Sequence, residues 1–498
     1  MDPSLPRAQA LAVKDGRIVE VGGDDEILWL REDGYELHDL GGRTVLPGFI
    51  DPHNHFSIAA LDCFFVDCRD AHDISDIQGR MREAAAGVPA SEWVRGFCYD
   101  HRALAERRHP TRHDLDAAVS DRPALLVHYS HHQAVANSRA LAAAGITRQT
   151  PDPPGGEIAR DRGGEPTGLL FERAMGIPEA RSREGWESRF VEVARAASLR
   201  YARHGITAVQ DAAVTPAMAR RYAEARATGA LAIHVGEMMV SPRGWFEAPD
   251  AAAPGETLKL FVDGGYRCAL RYPRGGAMVT SGFLFYERAA LAGRLVDAWR
   301  AGRRVTCHAI GNLGVETAVG AIEDALRAEP AGRARVRIDH AIFLTRALIA
   351  RLADLGVWVV AQPSFLYDRG RHEVPGEILV RPFRSVAEAG IPQAFSSDFP
   401  CGSLDPLVGV YAAVTRRTRT GEVADGDQAL SVQAALEAYT IDAARAAGLA
   451  GERGSLEPGK RADFLVLSGD PLECSDAALL DLRVVETWVG GERVTNAP

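Results

Sequence analysis

The stretch Leu46-Pro47-Gly48-Phe49-Ile50-Asp51-Pro52-His53-Asn54-His55-Phe56 decides how the rest of this chain reads. An apolar run ends in two histidines one residue apart. Alternate side chains of a strand share one side, so His53 and His55 project together from a strand end. Neutral imidazole is a common ligand for zinc and similar ions. Two on one strand end supply half of a tetrahedral shell. The alternative is coincidence, since 15 histidines in 498 residues make some His-x-His pairs unsurprising. A metal reading therefore needs further ligands in similar settings.

Four further strand ends carry candidates. The run 305–310 bears His308, and 336–341 bears His340. The run 392–400 ends in Asp398, and 258–264 places Lys259 inside an apolar strand. Helical stretches at 315–328 and 345–355 follow two of these runs. Strand then helix, repeated, predicts an α/β fold with a parallel sheet. In a (β/α)8 TIM barrel the C-terminal strand ends share one mouth, where His53, His55, Lys259, His308, His340 and Asp398 would meet. Eight barrel strands are predicted at 46–52, 206–211, 231–237, 258–263, 304–309, 336–340, 357–362 and 392–397. The barrel domain then spans 46–453, with a large insertion, 57–200, after its first strand. That insertion holds apolar segments at 93–97 and 124–129, and it is expected to shape the substrate pocket.

Both ends of the chain read as short strands. They lie at 8–14, 16–21 and 36–40, then at 462–467, 484–489 and 492–495. Asp15-Gly16 is a hairpin signal. Together, 1–45 and 454–498 predict one small β-sandwich domain built from both termini.

Composition narrows the function classes. Apolar content of 46% and charged content of 25% are ordinary for a soluble protein. A net charge of −10 leaves no basic footprint for nucleic acid or an anionic membrane. Seven cysteines without a Cys-x-x-Cys pattern fit a reducing cytoplasm better than a disulfide framework. The start of the sequence lacks an apolar leader, and no window approaches the roughly 20 apolar residues that span a bilayer. Neither nucleic acid nor membrane is an expected partner. A small-molecule substrate is.

Across nearly its whole length the chain resembles the amidohydrolase superfamily, in the amidohydrolase 3 branch that includes N-substituted formamide deformylase-like metal-dependent hydrolases. The matching segments are 46–55, His-Gln-Ala-Val-Ala-Asn-Ser at 132–138, 155–174, 205–211, 258–264, 308–311, 397–400 and 454–467. The resemblance implies two divalent ions, most readily zinc, although other divalent metals would serve. His53 and His55 would hold one, and His308 and His340 the other. An N6-carboxylated Lys259 would bridge them, because a protonated ammonium has no lone pair to offer. The alternative for Lys259 is an ion pair with an acid such as Asp263. Asp398 would ligate one ion and act as general base and then acid, while a metal-activated hydroxide attacks a C–N bond of an amide, N-acyl or N-formyl compound. The alternative for Asp398 is a helix cap.

His132 matches a family histidine and is a candidate catalytic group that contacts substrate or stabilises an oxyanion; a structural His is the alternative. Asp211, Tyr99, Asn312 and Tyr266 are candidate substrate-binding residues, with Asp100 and His101 beside Tyr99. For these the alternative is an ordinary loop or surface polar group. His128, His131 and His132 are considered as a separate metal site and set aside. Asn312-Leu313 stands where the family often has Asp-Arg, and 265–270 lacks the family's Ser/Thr-rich character. Those departures leave open a non-hydrolytic isomerisation, cyclisation or decarboxylation at the same centre, or a regulatory protein without catalysis. Family members usually begin with one more strand, so an upstream start or a missing edge strand is expected, and a homodimer is plausible.

Overall fold

The computed structural model describes residues 4–30, 35–89, 91–242, 245–251 and 255–496. Its central sheet is built from β1 (Phe49–Asn54), β2 (Ile206–Val214), β3 (His234–Met239), β4 (Thr257–Phe261), β5 (Arg304–Ala309), β6 (Val336–His340), β7 (Trp358–Ala361) and β8 (Gln393–Phe395). These eight strands pair in parallel and in chain order. Just past β8 the sheet turns back on its first strand. Asp398 N–H donates to His53 O (3.0 Å) and His55 N–H to Phe399 O (2.9 Å). The Asp51 carboxylate clamps the same seam by accepting from Ser397 N–H (3.1 Å) and from the Ser397 hydroxyl. The result is a nearly closed TIM barrel, as the strand-helix alternation predicts.

The strands are buried on both faces, which is why β4 reads as Thr-Leu-Lys-Leu-Phe with every residue buried. The packing helices show the complementary 3.6-residue period. In Arg346–Leu355 the buried residues are Leu348, Ile349, Leu352 and Leu355. The Thr345 side chain caps its start by accepting from Leu348 N–H, and Gly356 ends it in the left-handed conformation.

The insertion folds around its own six-stranded sheet, including Val94–Tyr99, Ala124–His128, Gln133–Ala136 and Pro166–Glu172. The two apolar segments read from the sequence are the first two of these. Ile77, Met81, Leu126 and Val135 pack on one face of that sheet.

At the termini Ala10–Lys14 and Arg17–Gly22 form the hairpin that Asp15-Gly16 predicts, with φ of 51° and 75° at the turn. A four-stranded antiparallel sheet joins Thr44–Pro47, Phe464–Leu467, Val484–Val489 and Glu492–Asn496. Ile18 of the hairpin and Phe464, Val466 and Trp488 of this sheet share one apolar cluster. The expected strand at 36–40 is corrected: that segment is irregular. Asp39 accepts from Gly41 N–H (2.8 Å), a side-chain turn that ends the run, and Leu37 faces solvent. Asp24–Trp29 is helical instead. Among the described residues no helix is long and apolar enough to cross a membrane.

Candidate metal centre

The mouth of the barrel gathers ligand-type atoms from strands that are distant in sequence. One ligand atom each from His53, His340 and Asp398 lies within 4.8 Å of the others, all buried. His53 Nε2 and His55 Nε2 stand 3.2 and 3.1 Å from Asp398 Oδ1. His53 and His340 rings are 4.7 Å apart, and His340 and His308 rings 4.4 Å.

The orientation of each imidazole is set from behind. His53 Nδ1–H donates to Asp339 Oδ2 (2.6 Å), and His340 Nδ1–H to Gln362 Oε1 (2.8 Å). Each bond leaves the Nε2 lone pair facing the mouth, the arrangement in which metal-binding histidines are normally held. His340 Nε2, His308 Nε2, His55 Nδ1 and Asp398 Oδ1 are buried without a hydrogen-bond partner. Buried polar atoms rarely go unpaired. Neutral imidazoles and a carboxylate left open in this way suit a divalent cation of the zinc type.

Backbone and electrostatics point the same way. His340, Ala341 and Asp398 have φ of 77°, 46° and 53°, left-handed conformations that cost energy and cluster at functional sites. Burial and the nearby His53 push His340 down to about 3, so it stays neutral. Burial and His340 likewise push His308 well down. Burial alone would raise the Asp398 carboxyl, but the charge of His53 holds it well below the usual carboxylate range.

Lys259 is fully buried. Its Nζ donates to Asp339 Oδ2 (2.7 Å) and lies 3.4 Å from His53 Nδ1. The acid beside it is therefore Asp339, whereas Asp263 sits past the end of β4. There Asp263 accepts from the N–H groups of Ile310 (2.9 Å), Gly311 (2.8 Å) and Ala269 (3.0 Å). Burial lowers the basicity of Lys259 despite the Asp339 charge. Asp339 is shared with Arg337, whose Nε is 3.0 Å from Oδ1.

The insertion delivers His132 to the same mouth, with its ring 5.6 Å from that of His308. Glu172, fully buried and at φ 50°, holds His132 Nδ1 at 2.6 Å and accepts from Gly265 N–H at 3.1 Å. Only glycine fits at 265, because a Cβ there would fall 2.1 Å from the His132 ring. Trp245 stacks on His55 with ring centres 6.0 Å apart.

The remaining candidates are more scattered. Asp211 Oδ2 accepts from Ser57 N–H (2.9 Å) and the Tyr222 hydroxyl (2.5 Å), which pins the helix that follows His55. Tyr99 is buried with its hydroxyl 2.9 Å from His109 Nδ1. Asn312 spends both amide atoms on the Arg271 backbone (2.8 and 2.7 Å). Tyr266 is 43% exposed, 6.0 Å from the His101 ring. His128 converges with Asp100 and His101, and it is this trio rather than His128, His131 and His132 that groups together. Sequence reading missed Asp339, Glu172, Gln362 and Trp245. Asp339 alone carried a signal, since it directly precedes His340.

Comparison with known proteins agrees with this architecture. The model of the amidohydrolase family matches residues 36–495. The chain is 33% identical to N-substituted formamide deformylase of Arthrobacter pascens, over 97% of this chain and 94% of that one. It is 28% identical to a putative amidohydrolase of Bacillus subtilis strain 168, over 98% and 96%. Among solved structures, an uncharacterized metal-dependent hydrolase from Pyrococcus furiosus superposes with a TM-score of 0.70 at 26% identity, covering 93% of this chain and 95% of that one. A match over nearly the whole length, on the fold described above, establishes that this chain belongs to the amidohydrolase family and is an enzyme of that hydrolase class.

Proposed function

We propose that the protein is a metal-dependent hydrolase that cleaves an amide, N-acyl or N-formyl bond of a small molecule, with His53, His55, His340 and Asp398 holding the ion. The observation that carries this is the convergence of the three buried groups His53, His340 and Asp398, with His340 Nε2 and Asp398 Oδ1 left without a hydrogen-bond partner. The formamide deformylase and metal-dependent hydrolase relatives support the same reading. A divalent cation such as zinc supplies Lewis acidity there, polarising a carbonyl and easing removal of a water proton near neutral pH.

The chain's own groups do the rest. Asp398 takes the proton of the attacking water and returns it to the leaving nitrogen. Burial opposes charging of His132, but the Glu172 carboxylate at its Nδ1 outweighs it, and the resulting imidazolium has Nε2–H to donate to the substrate carbonyl as charge develops on its oxygen. Trp245 stacks against His55 on that side of the site. In this reading the segment 57–200 closes over the site, and 1–45 with 454–498 form a separate β-sandwich domain.

A second reading has two ions. It is favoured by His308 Nε2, buried and unpaired beside His340, and by the depressed basicity of Lys259, which makes available the free amine that carboxylation requires. Elemental analysis of the purified enzyme counts the ions. Hydrolysis in labelled water must place solvent oxygen in the acid product. Product formed without that label would instead indicate an isomerisation, cyclisation or decarboxylation.

A further inference from the structure

Beside the centre lie three arginines, Arg102, Arg369 and Arg381, of which only Arg102 has an acid at ion-pair distance among the described residues. The Arg369 Cζ lies 3.6 Å from the Phe365 ring centre and 4.8 Å from that of Tyr129. Its Nη2 donates to Cys401 O, while its Nε is buried without a partner. Cys401 N–H in turn donates to Asp398 O (2.7 Å), so Arg369 is tied by backbone to the residue that closes the centre. On the same Tyr129 ring sits Arg102, with Cζ 5.6 Å from the ring centre and Nη2 donating to the Tyr129 hydroxyl (2.9 Å). Arg102 is neutralised by Asp100 at 3.1 Å. Arg369 is not, and neither is Arg381, which is 4% exposed, has an unpaired Nε, and contacts His372 Nδ1 at 3.3 Å. Among the described residues neither arginine has an acid within ion-pair distance.

A buried cation without a partner is costly, and a protein of net charge −10 has acids to spare. Burial, with Arg369 and Arg416 adding to it, pushes the Arg381 guanidinium down to about 9. Asp425 offsets that only in part, from beyond ion-pair distance. A planar guanidinium fork is matched by a carboxylate.

We propose that Arg369, with Tyr129 and Arg102 along one edge and Arg381 behind, is the subsite for a carboxylate on the substrate, which makes the substrate an N-acyl or N-formyl amino acid in place of a neutral amide. This rests on the hydrolase reading above: the amide would lie against Asp398 and His53 while its carboxylate reaches Arg369.

The test compares a matched pair on the metal-loaded enzyme, N-formylphenylalanine and N-formylphenethylamine, which differ only in the carboxylate. The wild type is expected to favour the acid in kcat/KM, with the preference fading as salt is raised. Arg369→Gln is expected to raise the ratio of the acid's KM to the amine's by about 10–100-fold, the worth of one charge-assisted pair. Its metal content should stay close to wild type, and Arg369→Lys should restore only part of the ratio. Equal kcat/KM for the pair in the wild type, or an equal loss for both in Arg369→Gln, would overturn the proposal. The wild-type comparison needs no variant to fold. If neither compound turns over, calorimetric titration with each replaces kinetics, and indistinguishable binding, or none, overturns it as well. Failure of the hydrolase reading looks different: a fully metal-loaded enzyme would cleave no amide, charged or neutral, whether or not the acid binds through Arg369.

Discussion

Replacing Glu172 by Gln tests whether this buried carboxylate orients His132. Glu172 uses its two oxygens on two donors, His132 Nδ1 at 2.6 Å and Gly265 N–H at 3.1 Å, with no solvent exposure. Glutamine keeps the shape but offers one acceptor oxygen, so one donor must face an NH2 group. A charge-assisted hydrogen bond contributes about 1.5–3 kcal/mol, and an unpaired buried donor costs about 1–3 kcal/mol. The two overlap, because Gln retains one neutral bond, and a loss of about 2–4 kcal/mol is expected. Urea unfolding should show it as a lower midpoint at unchanged slope. If about half of that energy holds the imidazole in its working position, kcat falls by about 5–30-fold, with the metal content unchanged. A variant as stable and as active as the wild type would refute the pairing of Glu172 with His132. A variant that loses stability but keeps kcat would show that Glu172 supports only the fold.

Three further outcomes are expected. Asp62 is buried with both oxygens unpaired, and burial raises its carboxyl from 3.8 to about 6. The folded state thus binds its proton more tightly than the unfolded state, and stability is lost as pH rises from about 4 to about 6. Asp62→Asn should match the wild type at about pH 4 and exceed it by up to about 3 kcal/mol at about pH 8; a gap that does not change with pH in denaturant melts would refute this. His308→Ala should lower the metal content and abolish turnover together, and full activity with unchanged metal would remove His308 from the centre. At Gly311 a Cβ would fall 1.9 Å from Ala269 O, so Gly311→Ala must displace the loop anchored on Asp263. A loss of about 2–4 kcal/mol in thermal or chemical unfolding is expected, and an unaffected variant would refute the close approach.

Much of this architecture was legible one residue at a time. The run ending at His53 and His55 has the period and the apolar bias of a buried strand, and the candidates His308, His340 and Asp398 each stand at or just past a strand end. Asp15-Gly16 specified its hairpin by conformational preference alone. The run at 36–40 misled because alternation is also compatible with a half-exposed loop. Glu172 and Trp245 gave no signal, since each acquires its role only by meeting His132 or His55 across the barrel mouth.

The sequence by itself determined which side chains leave the ends of the strands and on which side, because backbone geometry makes both properties local. It did not determine who meets whom. His340 does lie beside His308, as expected, with ring centres 4.4 Å apart, but it also meets His53 and Asp398. Lys259 was weighed against Asp263, yet it meets Asp339. Only the tertiary structure decided these pairings. Closing eight strands into a ring brings β1, β6 and the end of β8 around one axis, and residues nearly 350 positions apart, such as Asp51 and Ser397, become neighbours. No local pattern encodes the curvature and stagger that place them there.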